Sequence, residues 1–280
     1  MKTKTSICAL AVLAAACASA AENIPLPEHP RPDWQRAEWQ NLNGSWHFAS
    51  DKADVGVKDK WFAADDAKFP QRILVPFGWG SPASGVKDEA DIGWYRRDIT
   101  VPAAWKGKRV FLVVGASDYK TEFSFDGKNL GKHVGGYMPF EFELTDLVKW
   151  GEEQTAEFKI WDPDFLTALV GHYLIGKQGY GNVRGIWQTV YLEARPQNYL
   201  TSLHFTPDVD NSCVKVDISL AGPAETGETF TLKFKTGDQE TFSAPVEGQS
   251  SSFTVPIRDQ HLWDIDDPFL YEVEASLRRD

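Results

Sequence analysis

Paired carboxylates are the first residues in this 280-residue chain that could do chemistry. Asp162 and Asp164 stand in a Trp-Asp-Pro-Asp run, and Asp264, Asp266 and Asp267 follow Trp263 closely. Two such carboxylates can work as acid and base, or hold a divalent cation. In both places, however, Asp sits beside Pro where a strand pattern ends. Pro presets φ and Asp bonds its own backbone, so both groups read as turn residues. The six His are scattered, and no His/Cys cluster has the spacing of metal ligands. No Gly-rich loop leads into a helix where it could cradle a phosphate. No metal and no cofactor is therefore expected. The aromatic rings offer different chemistry. Trp79, Tyr137 and Tyr180 sit beside Gly in loops, where their faces could be exposed for stacking on a sugar ring. Trp46, Trp94, Trp161 and Trp187 lie in strand patterns and read as core.

The elements that must position these groups are short strands. Residues 45–48 follow an Asn43-Gly44 turn, and the continuous apolar run 110–114 reads as a strand buried on both faces. Phe123 and Phe125 alternate up to Asp126-Gly127, a hairpin signal because both residues tolerate positive φ. Further alternation runs through Phe140, Phe142 and Leu144, through Ala156, Phe158 and Ile160, and through Ile186, Gln188, Val190 and Leu192. One short helical turn is expected after Thr145. Pro196 breaks the pattern. Beyond it a second rhythm carries Val214 to Leu220, Phe230 to Phe234, Phe253 to Ile257 and Tyr271 to Leu277. No helical period is sustained, so the expected fold class is all-β, one sandwich followed by another. The chain ends in or just after a strand, and a sandwich without its last strand has an open edge.

The formal net charge of −11 argues against nucleic acid and against an anionic membrane surface as partners. Residues 1–20 read as a signal peptide: Lys2 and Lys4, an apolar run over 7–16, then Ala18-Ser19-Ala20. That run is too short to span a bilayer, and no other segment is long and apolar enough. A secreted or periplasmic protein is expected. A rival cut would make Cys17 a lipidated N-terminus, but the Leu before it stands one position too far back. Cleavage leaves Cys213 as the one cysteine, which reads as a small apolar residue opening a strand.

Six segments, in order, resemble the N-terminal half of glycoside hydrolase family 2, the family of β-galactosidases, β-glucuronidases and β-mannosidases. They are Leu-Asn-Gly-Ser-Trp at 42–46, Ile-Leu-Val-Pro-Phe at 73–77, Trp-Tyr-Arg-Arg at 94–97, the hairpin 115–128, Gly-Gly-Tyr-Met-Pro-Phe at 135–140 within 131–146, and Gly-Ile-Trp-Gln opening 185–193. Leu262-Trp263-Asp264, Pro268 and Leu270-Tyr271 resemble a motif of the family's second domain. The resemblance implies a galactose-binding-like jelly-roll sugar-binding domain over residues 21–197 and an immunoglobulin-like β-sandwich, truncated, over residues 198–280.

In that family the reaction takes place in a following TIM barrel, where two Glu act as acid/base and nucleophile. The acid/base follows an Asn; this chain has no Asn-Glu dipeptide and no βα repeats. The family also implies that loops of the first domain reach the sugar pocket. The loops at that place here are 84–93 and 176–184. Some β-galactosidases carry an Asn in the first and an Asp in the second; counting back from Gly93 and Gly185 puts Ala90 and Lys177 there, so that pair is absent. Asp91, Lys177, Gln178 and Arg184, with Tyr180, are the remaining candidates for substrate binding. They can exchange hydrogen bonds with hydroxyls, and Lys177 or Arg184 could pair with a uronate. The expectation is the non-catalytic N-terminal part of a secreted, β-galactosidase-like exo-β-glycosidase of carbohydrate breakdown, partnered by a β-linked glycoside and a C-terminal barrel. One alternative is a free-standing secreted carbohydrate-binding protein; another is a structural or adhesive protein with a protein partner at the open edge near Leu277.

Overall fold

The computed structural model describes residues 24–63, 65–87, 89–163, 184–237 and 239–279. The first sandwich has two antiparallel sheets. One is six-stranded, in the order β3(Gln71–Val75), β2(Gly44–Ser50), β4(Ile92–Thr100), β10(Glu153–Trp161), β7(Lys120–Phe125), β8(Lys128–Val134). The other is four-stranded, in the order β1(Trp39–Asn41), β12(Val190–Arg195), β5(Arg109–Val114), β9(Phe140–Glu143). The short pair β6(Ser117–Asp118) and β11(Gly185–Ile186) stands apart from both. Alternation sends Trp46, Phe48, Tyr95, Phe123 and Phe158 from the larger sheet against Val110, Leu112, Val114, Val190 and Leu192 from the smaller one. Val75-Pro76 and Asp118-Tyr119 are cis peptides.

The apolar run at 110–114 is buried on both faces, as its composition implies. Its even members enter the sandwich core, while Phe111 and Val113 pack outward on Tyr191 and Tyr199. Asp126 (φ 49°) and Gly127 (φ 73°) make the β7–β8 turn with both residues left-handed. A single 3-10 turn, Thr145–Leu147, follows β9. The alternation from Ile186 to Leu192 is not one strand. Gly185–Ile186 pairs with Ser117–Asp118, whereas Val190–Arg195 pairs with β5 and β1. Between them the chain changes sheets. The bend is clamped by Asn43, whose Nδ2 donates to Thr189 Oγ1 and whose Oδ1 accepts from Val190 N. A change of sheet preserves the in/out pattern, so periodicity alone reads straight through it.

The second sandwich has two three-stranded sheets. One holds β13(Leu200–Asp208), β14(Cys213–Leu220) and β17(Ser250–Pro256); the other holds β16(Phe242–Pro245), β15(Glu228–Phe234) and β18(Val273–Arg279). Val216, Ile218, Leu220, Phe230, Leu232 and Val255 form its core. The strands β13 and β16 are not evident in the sequence. In β13 a register shift between Leu200 and Ser202 breaks the two-residue period. Cys213 is half-buried at the first residue of β14.

A charged network lies on the outer face of the four-stranded sheet. Glu193 Oε1 receives Arg195 Nε at 2.6 Å and meets Arg36 Nε at 3.1 Å. Arg195 also holds Glu141 with both terminal nitrogens, at 2.9 and 2.6 Å. Arg36 reaches across to donate to the Leu200 carbonyl of β13 at 2.7 Å. The Arg195 guanidinium stacks 4.1 Å from the Phe111 ring.

A second buried carboxylate, Glu157 on β10, accepts from Arg96 at 2.7 Å. Burial pushes its carboxyl up to about 7, against the pull of Arg96. The folded state thus holds a proton that the unfolded chain, at the ordinary 4.5, has lost. Stability should therefore fall as pH rises from 4.5 to about 7 and level off above that. Glu157→Gln should remove this decline, on the order of 2 kcal/mol between acid and neutral pH. Urea denaturation of both proteins at pH 5 and pH 8 checks it; equal pH slopes would show that Glu157 does not carry the effect.

Candidate functional site

Asp91 and Arg184 lie 93 residues apart in sequence, and the fold brings them into contact. Arg184 Nη1 donates to Asp91 Oδ1 at 2.6 Å and to the Ala90 carbonyl at 3.1 Å. Three local features hold this clasp. Arg184 pairs with Trp79 as an isolated antiparallel bridge. The Trp79 indole N–H donates to the same Ala90 carbonyl at 3.1 Å. From the far side, Asp162 N donates to the Asp91 carbonyl at 2.8 Å. The loop before Asp91 is stapled as well: Ser84 Oγ accepts from Val86 N, and Gly80 N donates to Val86 O.

The floor beneath the clasp is aromatic. Trp79 packs on Phe48 and Tyr95 with ring centroids 5.8 and 6.2 Å away. The Tyr95 hydroxyl accepts from Ile186 N, and burial pushes its phenol well above the usual range, so it stays neutral. Gly185, at φ 80°, passes over these rings so closely that an added Cβ would stand 2.2 Å from Tyr95 Oη. Gly78 is equally confined, since its Cβ would meet the Arg184 carbonyl at 2.5 Å.

The chemistry this leaves is asymmetric. The Arg184 side chain is 6% exposed and turned inward; that of Asp91 is 55% exposed. The exposed group is therefore a carboxylate oriented by a buried cation, an acceptor suited to a hydroxyl donor. Lys177, Gln178 and Tyr180 lie outside the described residues, as does Asp164. Ala90 contributes its carbonyl, which no side-chain pattern could have announced.

The aromatic assignments need revision. Trp79 is buried, because Phe48 of β2 and Tyr95 of β4 capture its ring, and it has no face to offer a sugar. Trp161 is not core: it is the last residue of β10 and takes the outward parity opposite Phe158 and Ile160. It borders a cleft of about 300 Å³ with Asp54, Ile92, Lys120, Glu122 and Lys159. Trp187 is half-buried, donating to the Gly136 carbonyl at 2.8 Å. Tyr137 stands 73% exposed and edge-on to Trp187 at 6.2 Å. The aspartates at 264–267 make turn bonds, Asp266 N to Asp264 Oδ1 and Asp264 N to Asp267 O. Among the described residues no group of three or more His, Cys, Asp or Glu is placed to hold a metal ion, and no helix is long and apolar enough to cross a membrane.

Residues 198–280 match the family model described as glycosyl hydrolases family 2. A β-glucuronidase of Bacteroides fragilis is 28% identical over 256 residues, covering 82% of this chain and 36% of that protein. The second sandwich thus matches glycosyl hydrolase family 2. A β-galactosidase of Thermoanaerobacter pseudethanolicus is 24% identical, over 85% of this chain and 33% of its own length. Among solved structures, a Lactobacillus rhamnosus β-glucuronidase superposes with a TM-score of 0.68 at 23% identity, covering 88% of this chain and 43% of that one. That likeness shows a shared fold. The chain thus spans less than half the length of these relatives.

Proposed function

We propose that this chain is the non-catalytic N-terminal part of a secreted exo-acting β-glycosidase, in which the first sandwich shapes the pocket for the terminal sugar. The observation that carries the reading is the Arg184–Asp91 clasp. It fixes an exposed carboxylate at the meeting of two loops that the family resemblance associates with substrate. The relatives named β-glucuronidase and β-galactosidase support a β-linked glycoside as the substrate class. The two carboxylates of a retaining mechanism would come from a barrel beyond these residues.

Pure 280-residue protein should release no nitrophenol from an aryl β-glucuronide or β-galactoside; turnover by it would overturn the reading. In a barrel-bearing form, Asp91→Ala should raise KM about tenfold with kcat little changed, the loss of one charge-assisted bond to a hydroxyl. An unchanged KM would remove Asp91 from the pocket.

The alternative is a free-standing carbohydrate-binding protein, favoured by the exposed Tyr137 ring beside Trp187. It requires that the chain alone bind glycans and that Tyr137→Ala abolish the binding.

A further inference from the structure

The six-stranded sheet turns one face away from the first core, and that face is only partly covered. The segment after β2 packs Trp61 and Phe62 on Trp94, with ring centroids 5.5 and 4.6 Å away. Beside this cover, where β10 ends and β7 and β4 begin, lies the cleft bordered by Trp161. Residue parity builds it. Phe158 and Ile160 point into the core, so Lys159 and Trp161 point outward. In the β10–β7 register Lys159 stands opposite Glu122 and Trp161 opposite Lys120. On the other side Trp161 stands opposite Ile92 of β4. Neighbouring strands thus supply a rigid floor, and Asp54 closes the rim from the covering segment.

The charges of the cleft are prearranged. Lys159 Nζ donates to Asp54 Oδ1 at 2.7 Å and stands 5.8 Å from the centre of the Trp94 ring. Asp54 is fixed at φ 49° in a turn that Asp51 holds by accepting from Val55 N and Gly56 N. Lys120 meets Glu122 at 3.3 Å. Each ammonium donates, each carboxylate accepts, and the pairs cancel in charge. Trp161 supplies the apolar wall. It is the exposed tryptophan of the first sandwich, and among the described residues no ring packs against it.

That combination selects the ligand. An aromatic wall takes the C–H face of a pyranose, and donors and acceptors around it take the hydroxyls on the ring's rim. A uronate or a sulfated sugar would bring negative charge against Asp54 and Glu122. An apolar ligand would strip water from the ion pairs and replace none of its hydrogen bonds. An uncharged sugar meets neither penalty, and a cleft of about 300 Å³ accommodates one such ring.

We propose that this cleft is a second carbohydrate site, holding one neutral pyranose unit of a glycan against Trp161. It adjoins the Asp91 clasp, since Ile92 follows Asp91 in the chain, yet no side chain belongs to both. The proposal does not rest on the pocket at Asp91.

The test is a nuclear magnetic resonance titration of the 280-residue chain, isotope-labelled at its tryptophans. The probes are methyl β-D-glucoside, methyl β-D-galactoside, methyl β-D-mannoside and methyl β-D-glucuronide. At least one neutral glycoside should shift the Trp161 indole signal saturably, with the millimolar affinity expected of so small a ligand. That signal is identified by its loss in Trp161→Phe. The glucuronide should bind at least about tenfold more weakly, because its charge finds no partner. Read from the sugar's own resonances, Trp161→Ala should lower the affinity about tenfold, whereas Trp161→Phe keeps an aromatic face and should stay within about threefold of the parent. The ring is exposed at a strand end, so circular dichroism and melting of both variants should match the parent. Failure of all three neutral glycosides to bind overturns the proposal. So does a glucuronide that binds as tightly as they do, or an affinity indifferent to Trp161→Ala. A saturable shift at the Trp187 indole alone would put the sugar beside Tyr137 and overturn it as well. None of these results bears on the Asp91 pocket, which is judged by KM in the barrel-bearing form.

Discussion

Gly185→Ala should destabilise the first sandwich by about 3–5 kcal/mol, the sum of left-handed strain and overpacking. Gly185 has φ 80°, a conformation that L side chains rarely adopt. The new methyl would lie 2.2 Å from Tyr95 Oη and 2.4 Å from the Trp79 ring. Neither neighbour is the loose end of a surface side chain. Tyr95 is fully buried against Phe48, and Trp79 is tied by its indole N–H to Ala90. Gly85 provides the control, because it has a similar φ of 75° and an added Cβ there meets nothing within 4 Å. Gly85→Ala should cost about 1 kcal/mol, the backbone share alone. Urea denaturation of the two variants separates the contributions. Equal losses would mean that the rings under Gly185 can give way. Because Arg184 precedes Gly185, the variant should also loosen the Asp91 clasp.

Glu193→Ala should be comparably severe, at about 3–5 kcal/mol. The Glu193 side chain is 2% exposed and stands between the guanidinium groups of Arg36 and Arg195. Its removal leaves buried positive charge uncompensated, which costs more than the ion pair itself contributes. Arg195 would keep Glu141, but Arg36 would lose its carboxylate and keep the Leu200 carbonyl and the rings of Trp34 and Tyr199. Arg36 is the link that reaches from before β1 to the first residue of β13, so the damage should extend to the coupling of the two sandwiches. Calorimetry should show a lower melting temperature and a broader or divided transition. Glu141→Ala removes a carboxylate whose side chain is 41% exposed and should cost clearly less. If the two variants melt alike, burial of Glu193 is not what makes it important.

Much of this architecture follows from local rules. The continuous run at 110–114 has no polar face to turn outward, so its burial on both sides could be read directly. Asp126-Gly127 could close only a hairpin of the kind observed, because both residues sit at positive φ. Phe123/Phe125 and Phe158/Ile160 announced the inner face of the larger sheet by their period of two. The strand β13 escaped notice because its bulge moves the apolar residues out of that period.

The amino-acid sequence by itself determined an all-β chain with two successive strand rhythms, a family resemblance spread over ordered motifs, and the residue types at the candidate pocket. These are properties of periodicity, turn chemistry and composition, and they survive without knowledge of what packs on what. The direction each pocket side chain takes was decided only by the tertiary structure. Trp79 stands between two glycines in a loop, yet strands far away in sequence supply Phe48 and Tyr95, and these bury its ring. Trp161 ends an apolar alternation, yet its outward parity at the end of β10 leaves it accessible. Arg184 was visible as a cation beside a glycine, and only its meeting with Asp91 turned it from a group that could bind an anion into one that orients a carboxylate. Contacts between residues 93 positions apart leave no trace in local patterning, because such patterning records which face a residue prefers and not which partner waits there.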